Sequence, residues 1–548
     1  MFHLTGAGMD EARPQGGLHP VALDDVLQRL PVLESEFPVY AAPGKAPHPL
    51  NEITADTREV IAAMRGRALA PATAGPGWLI GFHRDALPLL YGACLAAARD
   101  GARSKFFLGA KRCVARLQDL LSVDAANRTQ ASPESISASL GAAADRFLAA
   151  SALPEVLDGR KGPRSIMDAD RRTRCESALK TLEEALRGAD AEPAFWLFHS
   201  GDAPPDLEAF HGRASRAEDS CAAALDFCIR QLDRFVTVLQ AIRVARLEVE
   251  SAFDPAIHEE LLRRFDWRSA EPDELAAMPA VVVAEDAARL ADPLLSSFGR
   301  LLCSGRPVHI LASSSGFDMA EIPDLGHLAM AYREAFVLQS SLANPGHLTK
   351  GLLEMAAALR PAVAVVAVPQ DGKEMWLETA VCCFSRAFPH YTYDPHRGKR
   401  WADLFQMLDA PLDVLIAMAA SRRFGQHFRI IPETAWDGDQ MEASEYLEKF
   451  VDAPPPTVPY LRVRDREGRE QRAAFTRDLA GLCRDRELAW EMLAGLASRP
   501  APKTAAPAPA SEEAAKQQGA RQAYDRVLAL LSDPQVLAPA ISPAPQGP

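Results

Sequence analysis

The chain has 548 residues, 48% of them hydrophobic and 24% charged, which allows two to four domains or subdomains with a real core and excludes wholesale disorder. A formal net charge of −13 lacks the basic footprint that a general nucleic-acid binder needs, so nucleic acid is not expected as a partner. No apolar run is long enough to span a bilayer and no basic-then-apolar leader opens the chain, so a membrane is not expected either.

Residues 1–75 are rich in proline and glycine and read as an irregular arm. Residues 76–270 read as a mainly helical region. In it, residues 78–82 form a short buried strand candidate, and 85–98 and 110–121 carry helical apolar spacing. A long helix is expected over 216–250. Cys221, Leu225, Cys228, Leu232, Phe235, Leu239 and Ile242 recur there in steps of four and three, which makes one apolar stripe. The repeat is short for a coiled coil, so packing within the chain is favoured over a partner seam.

From residue 271 to 411 the rhythm changes to α/β. Strands are expected at 280–284, 307–312 and 361–368, with helices at 290–303, 325–341 and 346–359 between them. Asn344 and Pro345 suit the cap and first position of the last of these. Strands that alternate with helices, each a continuous apolar run, indicate a parallel sheet covered on both faces. Residues 412–499 read as a C-terminal α/β subdomain with a strand candidate at 460–464. Residues 500–548, with nine of the 42 prolines, read as a flexible tail carrying one short helix near 512–531.

Nine cysteines are scattered without a CxxC pair, and the adjacent Cys382 and Cys383 cannot chelate one metal with ordinary geometry. The pattern suits a cytoplasmic protein with reduced, mostly buried thiols. No nucleophile elbow, P-loop or HExxH is present. His390 and His396 are expected to lie on the surface rather than to ligate metal.

An ordered series of short features carries a family resemblance. Val283, Ala284, Glu285, Asp286 and Ala287 end one strand; Cys303, Ser304, Gly305, Arg306 and Pro307 lead into the next. Asp324-Leu325-Gly326 and Ala343-Asn344-Pro345 open helices, the second reaching Lys350 and Glu354, and Arg360-Pro361 precedes the third strand. Tyr391-Thr392-Tyr393-Asp394-Pro395 follows, then Phe405-Gln406 and Asp409-Ala410-Pro411. This order resembles the thiamine-diphosphate-binding domain of the pyruvate:ferredoxin (flavodoxin) oxidoreductases, which act on 2-oxoacids. The firm part covers about a quarter of the chain, 279–411.

The resemblance implies an α/β fold: a parallel, helix-covered sheet of the thiamine-diphosphate-binding type with large helical N-terminal additions. It implies thiamine diphosphate with Mg²⁺ as the cofactor, held through oxygen ligands. Asp286 falls at the family's metal-binding aspartate, Ser315 would supply a second metal oxygen, and Ser314, Ser315 and Gly316 would face the diphosphate. No catalytic residue is assigned. The sequence departs from the family at several points. Glu285 and Ala287 replace the glycines of Gly-Asp-Gly, and Asn-Thr-Gly-Gly is missing after the second strand. Asp318 and Glu321 bring negative charge toward the diphosphate position. Residues 368–372 carry no cysteine, so no iron–sulfur cluster is expected at the family's site. Taken by themselves, residues 313–316 read first as an ordinary polar loop capping the helix that follows, and second as a residual phosphate-type site.

Two functions follow from this. The chain is either a divergent component of a 2-oxoacid (pyruvate):ferredoxin oxidoreductase-like system that depends on a partner chain, or a non-catalytic pseudoenzyme acting as a structural or interaction subunit. Both expect a protein partner or a homo-oligomer.

Overall fold

The computed structural model describes residues 40–42, 48–49, 69–71, 77–99, 101–130, 167–189, 191–318, 324–369, 375–450, 453–464 and 469–497. The arm expected over 1–75 lies largely outside these residues, and the tail over 500–548 lies wholly outside them. The described strands, in chain order, are β1 (Tyr40–Ala42), β2 (His48–Pro49), β3 (Leu69–Pro71), β4 (Trp78–Ile80), β5 (Phe195–His199), β6 (Gly212–Arg216), β7 (Ala280–Asp286) and β8 (Val308–Ser314). They continue with β9 (Phe336–Ser341), β10 (Ala362–Ala367), β11 (Tyr391–Tyr393), β12 (Phe405–Met407), β13 (Phe428–Ile431), β14 (Gln440–Glu442), β15 (Val458–Arg464) and β16 (Glu470–Phe475).

Eight of these strands build the central sheet, and helices cover both of its faces. Six run parallel in the order β6-β5-β7-β8-β10-β9, and antiparallel β11 and β12 extend the β9 edge. Alternation along each strand sorts the side chains. Val281, Val283, Ile310, Ala312, Val363 and Val365 enter one core, while Ala280, Val282, Leu311, Ala364 and Val366 enter the other. This is why the strands read as unbroken apolar runs: neither face meets water.

The connections obey the right-handed crossover rule. Links that advance along the sheet (β6 to β7 through Ser220–Val249, β7 to β8 through Leu295–Cys303, β8 to β9 through Leu325–Ala331) lie on the first face. The two links that step backward, β5 to β6 and β9 to β10, place Leu207, Phe210 and helix Pro345–Ala357 on the opposite face beside helix Ala86–Ala98. A C-terminal sheet, β13-β16-β15-β14, and helix Arg477–Leu496 share the first core through Phe428, Phe475, Leu479 and Cys483.

Two expectations change. The helix expected over 325–341 stops at Ala331; Arg333 takes a left-handed φ of 66°, and Phe336–Ser341 becomes β9, paired with both β10 and β11. A short apolar run fits either period, and pairing on two sides decides it. The region read as mainly helical also supplies β5 and β6 to the sheet. Its helices Ala102–Gln130, Ala169–Ala189 and Ser220–Val249 gather around a core of their own that includes Leu117, Cys175, Leu182 and Ile242. The stripe on Ser220–Val249 packs within the chain: Cys221, Leu225, Cys228, Leu232, Leu239 and Ile242 are buried and Phe235 half-buried. All nine cysteines are free thiols and only Cys303 is exposed. Among the described residues no helix is long and apolar enough to cross a membrane.

Candidate functional site

In an open parallel sheet, a crevice forms beyond the C-terminal strand ends where neighbouring strands send their connections to opposite faces. One such reversal falls between β5 and β7, and Asp286 ends β7 beside it. The crevice is bridged by side chains. Ser200, directly after β5, donates its hydroxyl to Glu285 Oε2 at 2.7 Å, and Arg289 Nε lies 3.3 Å from the same oxygen. Glu285 is buried, and its Oε1 has no hydrogen-bond partner.

Asp286 stands opposite Ser313 in the β7–β8 register. Partial burial holds its carboxyl above the usual aspartate range; Glu285 and then Asp318 push the same way, while Arg289 and Arg84 oppose them. The mouth of the crevice is therefore an oxygen-rich place where burial and two neighbouring carboxylates outweigh the nearby Arg289 and Arg84.

The loop after β8 is closed on itself. Ser314 donates to Asp318 Oδ1 at 2.5 Å, and the Ser315 amide donates to Asp318 Oδ2 at 3.0 Å. The Gly316 amide donates to Ser314 Oγ at 2.9 Å. Ser315 Oγ accepts from the Asp318 amide at 3.1 Å and from Arg423 Nη1 at 3.1 Å. Gly316 has φ of 85° and packs so tightly that an added Cβ would lie 2.6 Å from Cys382 Sγ. The loop does not cap the following helix. Asp324 does that, accepting from the His327 amide at 3.1 Å.

The structure thus brings Asp286, Ser314, Ser315 and Gly316 to adjacent strand ends, but their chemistry does not fit Mg²⁺–thiamine diphosphate. Both lone pairs of Ser315 Oγ are taken by N–H donors, so it has none left for a cation. The Ser314 hydroxyl and the Ser315 amide already serve the Asp318 carboxylate, and a diphosphate there would face Asp318 and Glu285 as like charges. Among the described residues, no three histidine, cysteine or carboxylate side chains converge to hold a metal. Glu321 and residues 370–372 lie outside the described residues.

Sequence reasoning did not find Ser200, because its place depends on β5 joining the sheet. Asp318 was seen as a charge but not as the cap of its own loop, although three-residue spacing after Ser315 is the signal for that role. His390 was expected on the surface and is buried instead, stacked on His347 with ring centroids 5.6 Å apart and planes 7° apart. Its Nδ1 accepts from the Asn344 amide nitrogen at 3.3 Å, and His347 Nδ1 meets Ser340 Oγ at 2.9 Å. Pairing of β11 with β9 carries it inward, whereas His396 is exposed. Compared with known proteins, the chain matches no family model and no curated protein.

Proposed function

We propose that the chain is a pseudoenzyme: a structural or interaction subunit on a thiamine-diphosphate-type sheet that carries no 2-oxoacid chemistry of its own. The observation that carries this reading is the closed loop 314–318. In it the Asp318 carboxylate takes the Ser314 hydroxyl and the Ser315 amide, and Ser314 Oγ takes the Gly316 amide, so the donors that a bound phosphate would need are used internally. The buried Glu285 across the crevice supports it. The position of Asp286 beside a reversal of the sheet supports the thiamine-type ancestry, since the resemblance puts a metal-binding carboxylate there. An interaction role also suits the β12 edge of the sheet, where Trp401 is 49% and Leu408 37% exposed.

The crowding of Asp286 by Glu285 and Asp318 favours one other reading, because clustered carboxylate oxygens attract a cation. In that reading the chain is a catalytic component completed by a partner. Calorimetric titration of thiamine diphosphate with Mg²⁺ into the protein and into Asp286→Ala separates the two. No saturable heat up to about 1 mM ligand is expected. Binding near about 1 µM that Asp286→Ala abolishes would establish the partner-dependent component instead.

A further inference from the structure

At the other end of β7, before Ala280, a separate cavity of about 210 Å³ lies at the junction of the helical core and the sheet core. Phe106 and Val238 reach it from the helical core, Phe235 and Met278 from the sheet core, and the Phe106 and Phe235 rings stand 5.2 Å apart. An apolar cavity of about 150 Å³ takes one benzene ring. This one is sized for a single ring or a branched aliphatic group with a short head, and is below the range of about 300–1,000 Å³ that larger ligands occupy.

The lining also carries opposite charges. Glu184 on helix Ala169–Ala189 and Arg234 on helix Ser220–Val249 are both exposed, yet neither forms an ion pair or hydrogen bond among the described residues. Both border one cavity but do not meet across it. Glu192, which also lines it, is already balanced by Arg103 at 3.6 Å. A lone carboxylate ligand would be repelled by Glu184 and a lone amine by Arg234, whereas a molecule bearing both charges satisfies each.

We propose that this cavity binds an amino-acid-type zwitterion with an apolar side chain, its carboxylate on Arg234, its ammonium on Glu184 and its side chain among the aromatic rings. The inference is independent of the crevice at the opposite strand ends.

Calorimetric titration of the full chain with L-phenylalanine, L-leucine, 3-phenylpropionate and 2-phenylethylamine tests it. Saturable binding of L-phenylalanine or L-leucine is expected, with each singly charged analogue at least about tenfold weaker. Arg234→Gln and Glu184→Gln change exposed side chains and should fold normally by circular dichroism. Each should weaken the amino acid at least about tenfold. Val238→Trp, which fills the cavity, should remove binding. If neither amino acid saturates by about 10 mM, or if the two charge variants or the singly charged analogues bind as well as the reference, the assignment is overturned.

Discussion

Gly316 and Gly305 both sit in the left-handed region, at φ of 85° and 66°, but their surroundings differ. A Cβ at Gly305 would meet nothing within 4 Å, so Gly305→Ala should cost only the backbone preference, about 1–2 kcal/mol. A Cβ at Gly316 adds a collision with the buried Cys382 sulfur at 2.6 Å, and this variant should cost about 2–4 kcal/mol. Chemical denaturation of both separates backbone strain from close approach. Equal losses would mean that Cys382 moves aside and that the loop is looser than its hydrogen bonds suggest. The same loop shows what one residue of sequence context conceals. Ser315 reads as a free hydroxyl until Arg423, more than a hundred positions later, is folded against it.

Helix Ser220–Val249 is fixed at both ends. Asp219 accepts the Ala222 amide at 2.9 Å, and Glu248 near the other end is buried between Arg171 Nε at 2.9 Å and Arg174 Nε at 2.8 Å. Breaking a buried pair leaves the partner charges uncompensated, so Glu248→Gln should cost about 3 kcal/mol. Both arginines are about one-fifth exposed, which limits the loss. Thermal unfolding measures it, and a change below about 0.5 kcal/mol would show that water replaces the carboxylate. This helix was legible because its stripe, Cys221 to Ile242, repeats at helical spacing over about six turns. Strands β7, β8 and β10 were legible because burial on both faces demands continuous apolar runs. Strand β9 was not: Gln339, Ser340 and Ser341 break the run, although all three are buried. Strand β6 carries no apolar pattern at all, since as an edge strand it pairs only with β5. The crevice shared that fate: Asp286 was legible at the end of β7, whereas Ser200 across from it required the pairing of β5 with β7.

For the molecule as a whole, three of the described histidines, one on a strand and two packed beside the sheet, are buried or half-buried and held neutral. His309 donates Nε2–H to the Ala358 carbonyl at 2.9 Å and takes the Tyr91 hydroxyl at Nδ1. Burial, with Arg99 nearby, lowers its pKa to about 3. Burial, with Lys350 nearby, lowers that of His347 to about 4, and burial holds His390 well below the usual range. In the unfolded chain each titrates near 6.5. Between about 6.5 and 4, then, the unfolded state binds more protons, so the stability present above 6.5 is progressively lost as pH falls. Each histidine contributes a slope of about 1.4 kcal/mol per pH unit, or about 2 kcal/mol lost by pH 5. Asp124 and Asp324, whose pKa values are lowered, lose their contributions only at lower pH, below the unfolded aspartate value. Asp286 is raised and opposes the trend, gaining stability as pH falls through its folded value. Three histidines together approach the full stability of a typical domain, about 5–15 kcal/mol, so the chain should unfold in mild acid. Denaturation midpoints at pH 7.5, 6.0 and 5.0 are expected to fall steadily, and His347→Gln should reduce the slope by one proton. A flat profile over that range would mean that the buried imidazoles reach solvent and that the sheet core is open where the structure closes it.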